Sequence, residues 1–149
     1  MSAFIDTSVL YAMLARETDE HEAASEAFIA VARSQPLVTH AYVEVEAISL
    51  VQRRLGMSAV VRLVEDILPA IDVEMVRQEL HRRARDDLRR ERSRAVSFVD
   101  RVSFAFMRER GVHLALAIDD DFVKEGFESL PRPVPDPAEA REEDAVRRP

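Results

Sequence analysis

Two kinds of pattern alternate along the chain. Short runs rich in apolar residues occur at Ala3–Ile5, Leu37–Thr39, Ala70–Val73 and Val112–Ile118. They read as strands, and the near-continuous apolar run of the last predicts burial on both faces. Between them, apolar residues recur every three or four positions, the helical period. That pattern predicts helices over Ser8–Ala15, Glu20–Arg33, Ala41–Leu55, Glu74–Arg90 and Phe98–Arg110, and a short one ending at Gly126. In Glu20–Arg33 the stripe is Ala23, Ala24, Ala27, Phe28 and Val31; in Glu74–Arg90 it is Val76, Leu80, Ala84 and Leu88. Ser58 is placed to cap a further helix reaching about Leu68, with Pro36 and Pro69 as stops. Strands alternating with helices predict an α/β sandwich on a parallel sheet.

The pattern ends at Leu130. Residues 131–149 hold five Pro and nine charged side chains, which predicts a flexible tail outside a single domain spanning 1–130. With no Cys there is neither a disulfide framework nor a thiolate metal site. No apolar run approaches the roughly 18 residues of a membrane span, and Asp6 breaks the first one, so a cytoplasmic protein is expected. The three glycines, Gly56, Gly111 and Gly126, each follow a helical pattern, as C′ glycines do. None belongs to a phosphate-cradling loop, which excludes the Walker A and dinucleotide fingerprints.

Net charge is −7, yet Arg77–Arg94 holds eight Arg against four acids. Such a stretch is either a solvated helix face or a row of phosphate contacts. The acids are placed more tellingly. Asp6 follows the first strand, and Asp119, Asp120 and Asp121 follow the last predicted one. In an open parallel sheet, ligands sit beyond the carboxyl ends of the strands. Asp100 lies in "SFVD", a capping-box pattern, and Glu44 and Glu46 lie in the first turns of a helix that follows a strand. Two residues apart, Glu44 and Glu46 face different ways, and periodicity leaves open which turns to the sheet edge. Each acid alone also suits a helix cap. As a set of hard oxygen donors without His or Cys they suit Mg²⁺ or Mn²⁺. His21, His40, His81 and His113 show no ligand spacing and read as bystanders.

Four blocks in order resemble the PIN-domain ribonucleases, and among them the VapC-like toxins of toxin–antitoxin pairs. "FIDTSVL" is similar to the family's opening strand and first acid, Asp6; "LVTHAYVEVEAISLVQRRLG" resembles its second block, in which Thr, six residues, then Glu selects Glu46. "SFVDRVSFAFMRERGV" puts Asp100 in the third acid position, and "LAIDDDFVKEGF" puts Asp119, three residues before Phe122, in the fourth, with Asp121 a candidate outer ligand. The resemblance spans about Phe4 to Phe127 and departs at His40, where a small polar or acidic residue is expected. It implies a PIN-like fold with about five parallel strands between helices. It also implies a Mg²⁺ or Mn²⁺ site on Asp6, Glu46, Asp100 and Asp119, and endoribonuclease activity on RNA leaving a 5′-phosphate and a 3′-hydroxyl. A homodimer and a small antitoxin protein are the implied partners. Thr7 or Ser8 would steady the Asp6 carboxylate or a water, unless Ser8 merely caps its helix. Arg53, Arg54, Arg82 and Arg83 are candidates for RNA phosphates. The competing expectation is a catalytically silent PIN-type module that binds RNA or protein.

Overall fold

The structure, a computed structural model, describes residues 1–132. All but the first two residues of the tail expected over 131–149 therefore lie outside the described residues. Five strands, β1 (Ala3–Ile5), β2 (Leu37–His40), β3 (Ile71–Glu74), β4 (Leu114–Leu116) and β5 (Glu128–Leu130), form one all-parallel sheet in the order β3-β2-β1-β4-β5. Helices flank it: α1 (Thr7–Leu14), α2 (His21–Ser34), α3 (Ala41–Leu55), α4 (Met57–Arg62), α5 (Gln78–Glu91), α6 (Phe98–Arg110) and α7 (Asp121–Lys124). The expected α/β sandwich on a parallel sheet is what the chain adopts.

This strand order decides where a site can form. From β1 the chain steps outward through β2 to β3, then returns across β1 to lay down β4 and β5. The direction reverses between β1 and β4, so the connections that follow these neighbours diverge and leave a crevice at their carboxyl ends. β1 sits at the centre, with Ala3, Phe4 and Ile5 wholly buried. Around Phe4 pack Phe106 and Phe122, at 6.0 and 5.8 Å between ring centroids, and Phe104 meets Phe122 edge-on at 5.0 Å. Centroids at such spacing favour aromatic pairs beyond the area they bury. They anchor α6 and α7, which both carry acids, to the strand that ends on Asp6.

Several boundaries differ from the periodicity, each for a local reason. Glu74 belongs to β3, opposite His40, and α5 starts only at Gln78, so the stripe residue Val76 lies in the connection. Ser58 is not a cap. It lies inside α4, which Gly56 opens with φ 85°, a backbone conformation that only glycine adopts without strain. Beyond Arg62 the helical path continues in altered winding, a π turn over Leu63–Ile67 and a 3₁₀ turn over Leu68–Ala70, with Pro69 inside the latter rather than ending a helix. β4 is shorter than its apolar run because Val112 N–H caps α6 at Met107 and Ile118 N–H turns away to Ser8. β5 carries too short a pattern to be located from periodicity: it is three residues at the sheet edge, half exposed.

A carboxylate cluster at the switch point

Asp6 is the buried centre of the site, with only 4% of its surface exposed. It ends β1 and caps α1, its Oδ2 accepting from Ser8 N–H at 3.1 Å. Ser8 Oγ donates to the same oxygen at 2.7 Å and accepts from Ile118 N–H at 3.0 Å. The hydroxyl thus ties the end of β1 to the chain leaving β4 and fixes the plane of the carboxylate. Of the two roles open to Ser8, the structure selects this one, because Asp6 itself is the cap. On the other flank, Thr39 Oγ1 donates to Ile5 carbonyl at 2.8 Å, tying β2 to the end of β1.

Burial drives the electrostatics. Desolvation raises Asp6 to a pKa of about 7; the Ser8 hydroxyl opposes this, while Asp100 and Asp119 add repulsion. Asp100 stands in the first turn of α6, where Ser97 Oγ accepts from its N–H at 3.0 Å. It is raised to about 6, mainly by burial, with Asp119 and Asp121 adding repulsion against the lowering effect of Ser97. Asp119 is raised as well, by burial first, with Asp121 and Asp120 adding to it against the Asp121 N–H, which donates to Asp119 Oδ1 at 3.2 Å. Asp6, Asp100 and Asp119, far apart in sequence, therefore feel one another's charge. The first turns of α1 and α6 lie against them, and helix N-termini favour negative charge.

The three consecutive aspartates part company. Asp119 joins the cluster. Asp120 opens α7 and pairs with Lys124, whose Nζ is 3.0 Å from its Oδ2. Asp121 begins α7 and adds charge near Asp100.

Glu46 approaches from α3. Its carboxyl is raised by partial burial and drawn down by the hydroxyl of Thr7, the residue after Asp6. That contact falls short of good hydrogen-bond geometry, so Thr7 Oγ1 is a buried polar atom without a partner. Glu44 lies in the first turn of α3. Glu46 is not among the acids that repel Asp6. Among the described residues no three acids or imidazoles are gathered tightly enough to enclose an ion as placed.

The basic candidates are dispersed. Arg53 and Arg54 are exposed near the end of α3, and Arg54 lies over the Tyr11 ring at 5.7 Å. Arg82 and Arg83 are exposed on α5, which itself holds five Arg and four acids, so much of the positive excess of Arg77–Arg94 lies outside the helix. Sequence reasoning missed two supports. The Ile118–Ser8–Asp6 relay depends on a backbone donor 110 residues away, which no local pattern encodes. His40 is buried beneath the site, its Nε2 2.8 Å from Ser103 Oγ and its Nδ1 accepting weakly from Val43 N–H to cap α3. Burial lowers its pKa to about 4, so it stays neutral at pH 7 and is a cap, not a ligand. A His immediately before a helical pattern is the signal that could have found it.

Comparison with known proteins agrees with this architecture. The PIN domain family profile matches residues 3–127. The 23S rRNA-specific endonuclease VapC20 of Mycobacterium tuberculosis is 34% identical over 125 residues, covering 83% of this chain and 94% of the relative. The crystal structure of M. tuberculosis VapC20, described as a sarcin-ricin loop cleaving toxin, superposes with a TM-score of 0.75 at 33% identity, over 84% of this chain and 95% of that one. At 8% identity the resemblance is in fold alone for VapBC2 from Rickettsia felis, bound to a DNA fragment from its promoter (TM-score 0.66, 87% and 97% covered). The acid-edged parallel sheet, the profile match over nearly the whole described chain and the identity to a full-length relative lead to one conclusion: this chain belongs to the PIN domain family.

Proposed function

We propose that the protein is a divalent-metal-dependent endoribonuclease, the toxin of a toxin–antitoxin pair. The observation that carries this is the trio Asp6, Asp100 and Asp119, electrostatically coupled around the buried Asp6 at the switch point. Its support is the resemblance to a relative of known cleaving function over most of both chains.

The donor set suits a hard cation: carboxylate oxygens only, raised chiefly by desolvation and further by one another, beside a buried hydroxyl without a partner. Asp6, Asp100 and Asp119 would hold Mg²⁺ or Mn²⁺, with Glu46 as a fourth donor and Asp121 in an outer position. When bound, such an ion lowers the pKa of a water and neutralises charge on a phosphodiester. The chain's own residues do the rest. Ser8 fixes Asp6 Oδ2, which leaves Oδ1 free to face the crevice. Thr7 Oγ1, beside Glu46, has a donor and an acceptor to spare for a water. Asp6 and Asp100 are held near the protonation balance at neutral pH, so each gives up its proton with little free-energy cost. Arg53 and Arg54 supply phosphate contacts.

RNA is the substrate, and ribosomal RNA is the first to test, given the relative's specificity. A small antitoxin protein and a second copy of the chain are the partners that belong with this reading. The test is incubation of the purified protein with structured RNA, with Mn²⁺ and with chelator. Discrete cleavage only with Mn²⁺, leaving 5′-phosphate ends, is expected. Binding without cleavage at any Mn²⁺ concentration would return the protein to the silent-module class.

A further inference from the structure

Beside the acids lies a small pocket of about 270 Å³ with almost wholly apolar walls. Tyr11, Ala12, Leu50 and Ile118 form much of it, Ser8 joins it to Asp6, and Ile118 joins it to Asp119. Tyr11 is half-buried, and the Arg54 guanidinium lies over its ring. Glu20 is at the rim, where it precedes α2 without making any side-chain capping bond.

We propose that this pocket receives the unstacked base of a nucleotide flanking the cleaved phosphodiester, with Tyr11 as its stacking surface. The proposal rests on the nuclease reading above. A phosphodiester at Asp6 and Asp119 brings its flanking bases within reach of Ser8 and Ile118, and both of these residues line the pocket. Sequence-specific RNA recognition relies on bases splayed from the strand and stacked on aromatic rings or Arg planes, with their edges read by polar groups. The pocket supplies a ring, an apolar floor and a carboxylate at the rim, and a guanidinium backs the ring. Glu20 accepts hydrogen bonds and donates none, so it favours an amino-bearing base over uracil. The Arg54 charge over the Tyr11 ring suits a neighbouring RNA phosphate. An apolar side chain from a partner protein would use the floor but would leave Glu20 unanswered.

The experiment pairs protein variants with substrate variants under Mn²⁺. Wild type, Tyr11→Ala and Tyr11→Phe are assayed on a cleaved RNA and on versions made abasic at each nucleotide flanking the cut. Stacking of one base on an aromatic corresponds to about 5- to 150-fold. One abasic position should lower wild-type kcat/KM by that much. Tyr11→Ala should lose a similar factor on intact RNA and lose little more on the abasic one. Tyr11→Phe, which keeps the ring, should stay within about twofold of wild type. Glu20→Gln, at an exposed position, should erase the preference for an amino-bearing base without changing the melting temperature. Failure of the nuclease reading would appear separately, as no cleavage by wild type. If wild type cleaves but abasic and Tyr11→Ala losses multiply, or if Tyr11→Ala cleaves as wild type does because the pocket serves a protein partner, the base-binding role is overturned.

Discussion

At the carboxyl edge of the sheet, Asp6 stands buried and Asp100 half-buried, with the more exposed Asp119 beside them and Ser8 and Ser97 as their main partners. Along α5, five Arg lie among four acids of the same helix, all five exposed, with Arg90 paired to Asp87. Both regions look equally charged as sequence. The first raises carboxyl pKa values, because its charges are desolvated and left facing like charges. Exposed pairs of the second kind are worth little. Charge density is therefore a poor guide to a site, and charge without compensation is a better one.

The contrast is sharpest in activity. Asp6→Asn keeps the size and one oxygen of the side chain but removes its charge. RNA cleavage with Mn²⁺ is expected to fall at least about 100-fold, with circular dichroism unchanged, since a metal ligand matters more than the outer partners whose loss typically costs 10–100-fold. Near wild-type cleavage by this variant would place the chemistry elsewhere.

The same acids set a pH dependence. Without metal, Asp6 and Asp100 have folded pKa values of about 7 and about 6, above the ordinary carboxylate range. A raised folded pKa stabilises the protein fully below the unfolded pKa near 4, and that stabilisation is lost as pH rises through about 6 to 7. In chelator, unfolding free energy from urea titration should fall by on the order of 2–3 kcal/mol between pH 5 and pH 8. Asp6→Asn should remove more than half of that slope. A slope as steep in the variant would assign it to other groups.

A smaller effect separates the two glutamates of α3. Glu46→Gln should lower cleavage about tenfold through lost charge beside Thr7. Glu44→Gln should stay within about twofold. The reverse order, read from initial rates, would exchange their roles.

The smallest effect belongs to α5. Replacing Arg82, Arg83, Arg89 and Arg90 with Gln should change the slope of log affinity against log salt by less than one. Replacing Arg53 and Arg54 should reduce it by about one to two. A large change from the α5 set would make that helix a phosphate-binding face after all.

Much of this was legible in the sequence. α3 and α6 occupy the spans their periodicity predicts, and the strand-helix alternation gave the sheet. Long amphipathic segments announce themselves because burial of one face repeats many times. β5 and the end of β4 did not, since three residues at an edge, and a strand that stops when Ile118 N–H finds Ser8, carry no local period. The acids were legible as positions but not as a cluster. That Asp119 and not Asp120 faces Asp6 depends on where Lys124 falls one turn later, and that Ser8 orients Asp6 depends on β4. His40 looked like a departure, yet it performs the capping that a smaller polar residue would perform there.

In the proposed mechanism, Asp6 and its neighbours are held partly protonated and exchange protons for a divalent cation. Mn²⁺ binding, followed by calorimetry at pH 7 in two buffers of different ionisation enthalpy, tests it directly. With a pKa of about 7, Asp6 is about half protonated there, so wild type should bind Mn²⁺ saturably and release roughly half a proton per ion. Asp6→Asn should bind far more weakly and release much less. Saturable binding with no proton release, or equal binding by Asp6→Asn, would contradict the account.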